Sequence, residues 1–221
     1  MELDTRYINQ LEVVVSLFAI ENSTIKILLI KKTEEPFKNY WYLPSNLLMT
    51  TETIEECAKE TIFEYTNFES INLKQCNIFS KIDRLPNDRI IANSLIGVVP
   101  NTLLSNHQYR KGIECEWFPI TDIPKTVYDH LQIINDSINF LKKEIKNHEL
   151  VKTFLEEDFT LPELQSIYES AYDKKLDRRN FRKSMINSKR IVDSGEKVKK
   201  ASGRPPKLYH FNEDENIIIY S

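Results

Sequence analysis

"TLPELQSIYESAYDKKLDRRNFRKSMIN", residues 160–187, is the stretch on which the fold turns. Thr160, Pro162 in the first turn and Glu163 three positions after the cap make a complete helix start. The hydroxyl accepts an orphan backbone N–H, the proline has none to leave unpaired, and the carboxylate reaches back to the cap. The helix runs to about Tyr172. A short turn, DKKL, leads to Asp177, a second N-cap, and to the helix RRNFRKSMIN. Placing Phe181 and Met185, four apart, on the core side puts Arg179 and Lys183 near the opposite face. Asn180 and Asn187 flank them, with Arg178 and Arg182 at the side. From Lys189 onward, RIVDSGEKVKK and KLYHFN read as two strands around a loop that holds Gly203, Arg204, Pro205 and Pro206. Helix, short turn, helix and basic hairpin is the order of a winged helix-turn-helix.

That order gives each basic residue a task. Asn and Arg on the second helix can meet base edges, where a bidentate pair contributes ~1 to 3 kcal/mol of discrimination, while the lateral arginines hold phosphates. The wing adds Lys199, Lys200, Arg204 and Lys207, and its two prolines stiffen the loop so that Arg204 extends towards a narrow minor groove. Between Asp177 and Lys207 there are eleven basic residues against three acidic, a net of +8 in a chain of formal charge -3, so the remainder carries -11. A charge run alone reads as a solvated face. Gathered into two elements in this order and set against an acidic body, it points to double-stranded DNA as partner. RNA is unsupported, because the chain contains no aromatic RNP-type strand motif.

The 221 residues, 41% hydrophobic and 29% charged, allow one large domain or two small ones. No apolar run approaches the ~20 residues that span a bilayer, and Met-Glu-Leu-Asp is not a secretion signal, so a cytoplasmic protein with no membrane partner is expected. Cys57, Cys76 and Cys115, odd in number and widely spaced, read as buried thiols.

Upstream of residue 147 the pattern alternates strands and helices. Residues 12–20 and 25–32 read as a hairpin around the turn cluster Glu21 to Thr24, and residues 53–65 repeat apolar positions at helical spacing. CNIFSKI and IIANSLIGVV flank the turn-rich DRLPND, and CEWFPI follows a polar loop. From Asp129, an N-cap, Ile134, Ile138, Leu141 and Ile145 mark one long amphipathic helix. Residues 147–158 read as a polar junction. Two domains are expected, 1–148 and 149–221.

The stretch LPSNLLMTTETIEECAKETIFEYTNF, residues 43–68, resembles a Nudix box, G-x5-E-x7-R-E-U-x-E-E-x-G-U with U a bulky aliphatic. Aligned on Glu52, it keeps Ile62, Glu64 and Phe68, four of nine specified positions, and puts Asn46, Glu60, Thr61, Tyr65 and Asn67 at the others. The three helical carboxylates of the pattern stand on one helix face and hold the divalent cations that neutralise a diphosphate and activate water. Here Thr61, Glu64 and Tyr65 occupy those places. Glu56, Glu60 and Glu64 form an acidic stripe that reads as a solvated face.

Taken together, LPSN, IDRLPNDRIIANSLIGVVP, EWFPITDIP, VYDH, FTLPELQSIYESAY, LDRRNFRKSM and GRPPKLYHF are similar to the Nudix-related transcriptional regulators, the NrtR type and its sugar-responsive relatives, over residues 10–212. The resemblance implies an α/β (α+β) fold: a Nudix-like α/β/α sandwich that senses a small molecule, with a C-terminal winged helix-turn-helix that binds operator DNA as a homodimer. It implies effectors such as ADP-ribose-like nucleotides or pentose sugars. The missing carboxylates tilt the expectation towards a sugar or another small metabolite, with no catalytic residues, no metal and no cofactor. By the same resemblance Asp83, Arg84, Arg89, Asp129 and His130 are effector-binding candidates, with Glu52 and Glu64 from the box. Against these, Asp83 reads equally as a turn former and Asp129 as a cap. The alternative is an active Nudix hydrolase of nucleoside diphosphate derivatives with an appended nucleic-acid module.

Overall fold

The computed structural model describes residues 10–104, 112–146, 150–198 and 205–212. Strands β1 (Leu11–Glu21) and β2 (Thr24–Lys31) form the hairpin read from the sequence, with Asn22 and Ser23 left-handed at its turn. Short β3 (Trp41–Tyr42) pairs with β2, and β4 (Ser45–Leu47) pairs with β1. Helix α1 (Ile54–Thr66) starts on a capping box between Thr53 and Glu56. Then come β5 (Leu73–Phe79), β6 (Ile91–Val98), the single turn α2 (Asn101–Leu104), β7 (Cys115–Pro119) and α3 (His130–Lys146).

The seven strands make one mixed sheet. Its path is β3-β2-β1-β6-β5, with β4 joined to β1 and β7 to β2, and β1 runs parallel to β6. Side-chain alternation assigns the two faces. Val13, Val15, Leu17 and Leu95 pack with Cys57, Ala58 and Ile62 under α1, while Val14, Phe18, Ala92 and Ile96 pack with Ile134, Ile138 and Leu141 of α3. Helices on both faces complete the expected α/β/α sandwich. Gly97 is needed for its size: a Cβ there would lie 2.8 Å from Ile71 and 2.9 Å from Leu73, where the chain crosses the end of β6.

The C-terminal part follows in the expected order. A two-residue strand β8 (Phe159–Thr160) precedes α4 (Leu161–Tyr172) and α5 (Arg178–Asn187), and β9 (Ile191–Lys197) pairs with β10 (Lys207–Phe211), which also takes β8. Both caps form as read: Thr160 and Glu163 exchange hydrogen bonds, and Asp177 accepts from Asn180 N–H at 2.8 Å.

The polar junction expected over residues 147–158 needs correction. Leu150, Val151 and Phe154 are buried, the last two in a turn of 3-10 helix (Val151–Phe154), and they join the core on the α3 side of the sheet to that of the C-terminal part. The chain crosses between its two parts through apolar packing. The thiols are free, Cys57 buried and Cys76 and Cys115 only partly so; burial pushes Cys57 up to about 11. Among the described residues no helix is long and apolar enough to cross a membrane.

Candidate functional site

Helix α5 presents the residues assigned to DNA. Phe181 is buried and Met185 packs against the same core, which turns Arg178, Arg179, Asn180, Arg182, Lys183 and Asn187 outward, all of them exposed. The helix is held at both ends. Glu169 accepts from Leu176 N–H at 2.9 Å, from Gln165 and from Lys175, clasping the turn between α4 and α5. These hydrogen bonds, led by the Leu176 N–H, draw the Glu169 carboxyl down to about 2. On the wing, Lys207 forms an ion pair with Asp193, so its ammonium is shared rather than wholly available to a phosphate. Lys199, Lys200 and Arg204 lie outside the described residues. A small cavity of about 90 Å³ between α4, α5 and β10 is walled by Arg178, Arg182, Lys207, Phe181 and Tyr209.

The second group gathers where β1 begins. Arg84, its side chain 1% exposed, donates to Asp129 from Nε (3.0 Å) and Nη2 (3.1 Å) and to Glu12 from Nη2 (3.0 Å); its Nη1 reaches the Ile90 carbonyl at 3.4 Å. These contacts anchor the 80–90 loop to β1 and to the head of α3 and hold the Arg84 guanidinium in place. Asp129 sits where a cap belongs, but its carboxylate turns to Arg84, and only its carbonyl serves the helix start. His130 is buried, and its Nδ1 accepts from Leu43 N–H at 3.0 Å, which leaves the ring proton on Nε2. Burial holds its pKa below the ordinary histidine value, against the opposing pull of Glu12 and Asp129.

The box residues stand nearby. Glu52 accepts from Met49 N–H at 2.7 Å, and Asn46 donates to Glu64 at 3.0 Å. Thr61 is buried and donates to the Cys57 carbonyl at 2.7 Å. Tyr65 lies edge-on to Tyr42, their ring centroids 6.2 Å apart. The positions that hold cations in a Nudix box therefore make internal contacts, and Glu64 is the one carboxylate among the three. This donor set does not fit the Nudix cation site. Among the described residues no group of three or more His, Cys, Asp or Glu could hold a metal ion.

Arg84, Asp129 and His130 thus come together with Tyr42, Tyr65 and Glu12, and Glu12 also acts on His130 and Tyr65. Glu12 and Tyr42 were missed by the sequence reading. Glu12 alone left a signal, a lone carboxylate at the head of the apolar run VVV. Asp83 and Arg89 stay outside this group, exposed on the loop, where Arg89 donates to the Lys81 carbonyl at 3.1 Å.

A Nudix-type sandwich joined to an outward-facing winged helix is the plan of a DNA-binding regulator with a sensing domain. Residues 151–211 match the NrtR DNA-binding winged helix domain. The chain is 26% identical over 200 residues to the ADPR responsive transcriptional repressor NtrR of Acinetobacter baylyi, covering 89% of this chain and 79% of that one. It is 32% identical over 112 residues to an ADP-ribose pyrophosphatase of Methanocaldococcus jannaschii, covering 50% and 64%. The structure of Shewanella oneidensis NrtR complexed with a 27mer DNA superposes with a TM-score of 0.71 at 24% identity, covering 92% and 94% of the two chains. The C-terminal module belongs to the NrtR winged-helix family, and the chain as a whole has the architecture of the Nudix-related transcriptional regulators.

Proposed function

We propose that the protein represses or activates transcription by binding operator DNA as a homodimer, and that residues 1–148 sense an ADP-ribose-like nucleotide while residues 149–221 read the duplex. The observation that carries the DNA half is α5, on which six polar or basic side chains face solvent around one buried phenylalanine. The effector half is supported by two relatives, a repressor responsive to ADP-ribose and a pyrophosphatase of ADP-ribose. This sets aside the sugar towards which the missing carboxylates alone had tilted the reading. Binding without hydrolysis is favoured by the internal contacts of Thr61 with the Cys57 carbonyl and of Tyr65 with the Tyr42 ring. A cytoplasmic location goes with this role.

The mechanism follows from linkage. A nucleotide seated where β1, α1 and α3 meet changes DNA affinity only if it binds one arrangement of the two winged helices more tightly than another. Duplex binding measured at several salt concentrations should show log K falling with log salt at roughly -0.9 per phosphate contacted. Flat salt dependence, or no binding to any duplex, contradicts the assignment of α5. The hydrolase reading keeps one supporting observation, the pyrophosphatase relative, and release of AMP from ADP-ribose in magnesium would establish it.

A further inference from the structure

We propose that Asn93 reads the ligand of the sensing domain by accepting a hydrogen bond from a sugar hydroxyl; this rests on the sensing of an ADP-ribose-like nucleotide proposed above. Along β6, Ala92 and Ile96 face the core under α3, and Leu95 faces the core under α1. By strand alternation Asn93 therefore points to the α1 face. It is in register with Val13 of β1 and Ile78 of β5, and Asn46 of β4 lies beyond Val13. Asn46, Val13, Asn93 and Ile78 thus form one row across four strands, with the two asparagines about 10 Å apart at ~4.8 Å per strand. The next row, which carries Glu12 and Ala92, points to the opposite, α3 face, so Asn93 and Glu12 flank the same end of the sheet from its two sides.

Asn93 is 3% exposed, and its Oδ1 is buried with no hydrogen-bond partner among the described residues. Such an atom is uncommon in a folded chain, because desolvation without a donor costs stability that a Val or Leu at the same place would keep. The residue beside it shows where the missing donor can come from. Ile78 is 53% exposed, so the packed core on this face ends at Asn93 and opens next to it. An amide oxygen takes only a donor. That rules out a phosphate oxygen, an acceptor, as its partner and leaves the hydroxyls and the adenine amine of the nucleotide; of these, the exposed aliphatic surface of Ile78 alongside favours a ribose hydroxyl. Ile78 supplies an apolar surface for the C–H face of the same furanose ring. Asn46, held to Glu64 on the far side of Val13, closes the row with a second polar contact.

The test is calorimetric titration of the full-length protein with ADP-ribose, in the wild type and in Asn93→Val and Asn93→Ala, alongside thermal unfolding of each. Both variants are expected to bind about tenfold more weakly or worse, the equivalent of ~1.4 kcal/mol for one lost hydrogen bond. Their unfolding temperature should equal or exceed that of the wild type, a combination that a purely structural asparagine would not give. Variants that bind ADP-ribose as well as the wild type overturn the assignment and leave Asn93 as the partner of an internal water. Loss of affinity matched by a lower unfolding temperature in both variants also overturns it. A wild type that ignores ADP-ribose would instead overturn the sensor reading on which it rests.

Discussion

His130, an effector-binding candidate from the sequence, is 4% exposed, with Nδ1 taking the Leu43 N–H. Burial lowers its pKa, Glu12 and Asp129 raise it, and Arg84 lowers it again, with burial prevailing. The sign for stability follows directly. In the unfolded chain a histidine takes up a proton near pH ~6.5, and the folded chain resists it. The stability this group contributes is therefore present above that pH and is lost as pH falls towards the depressed folded value. The unfolding temperature should drop between pH 7.5 and 5.5, and His130→Asn, which keeps an acceptor for Leu43 N–H but cannot titrate, should drop less. Equal slopes would contradict the account. Sequence separation explains why this neighbourhood was only half legible. Arg84 and Glu12 are 72 residues apart and Leu43 and His130 are 87 apart, and no local pattern pairs them.

Helix starts were legible because their chemistry is local. Thr160 with Glu163 and Asp177 cap as their spacing predicts, Thr53 with Glu56 adds a capping box that was not read, and Asp129 gives its carboxylate to Arg84 instead. Thr160→Ala should cost about 1 kcal/mol, read as a lower denaturant midpoint at unchanged slope. A midpoint equal to that of the wild type would mean the cap contributes nothing. Strands were less legible. The sequence reading began the fifth strand at Cys76, whereas β5 begins at Leu73; β3, β4 and β8 escaped altogether, because two or three residues acquire strand geometry only from the distant strand they join. On α5, period alone separated Phe181 and Met185 from the exposed face, since a core-facing pair four apart fixes the helix rotation.

At the scale of the whole molecule, α4 lies between the two parts. Ser170 accepts Ile25 N–H from β2 at 2.7 Å, Tyr168 and Tyr172 donate to the Ile145 and Lys142 carbonyls of α3, and Phe181 of α5 packs edge-on against Tyr168. One apolar core runs from Val14 to Tyr209. Calorimetric unfolding of the intact chain should therefore show a single cooperative transition, and two resolved transitions would contradict the shared core. The sequence displayed the two parts through charge and motif but not this continuity, because Leu150, Val151 and Phe154 sit in a stretch whose composition is polar.

The central claim, a DNA reader governed by a nucleotide sensor, is tested most directly by fluorescence anisotropy on a duplex selected by the protein from a random pool, titrated with and without saturating ADP-ribose. The account predicts a change in duplex affinity of roughly 5- to 150-fold, the range of ~1 to 3 kcal/mol of coupling. Identical isotherms in the presence and absence of ADP-ribose would contradict it.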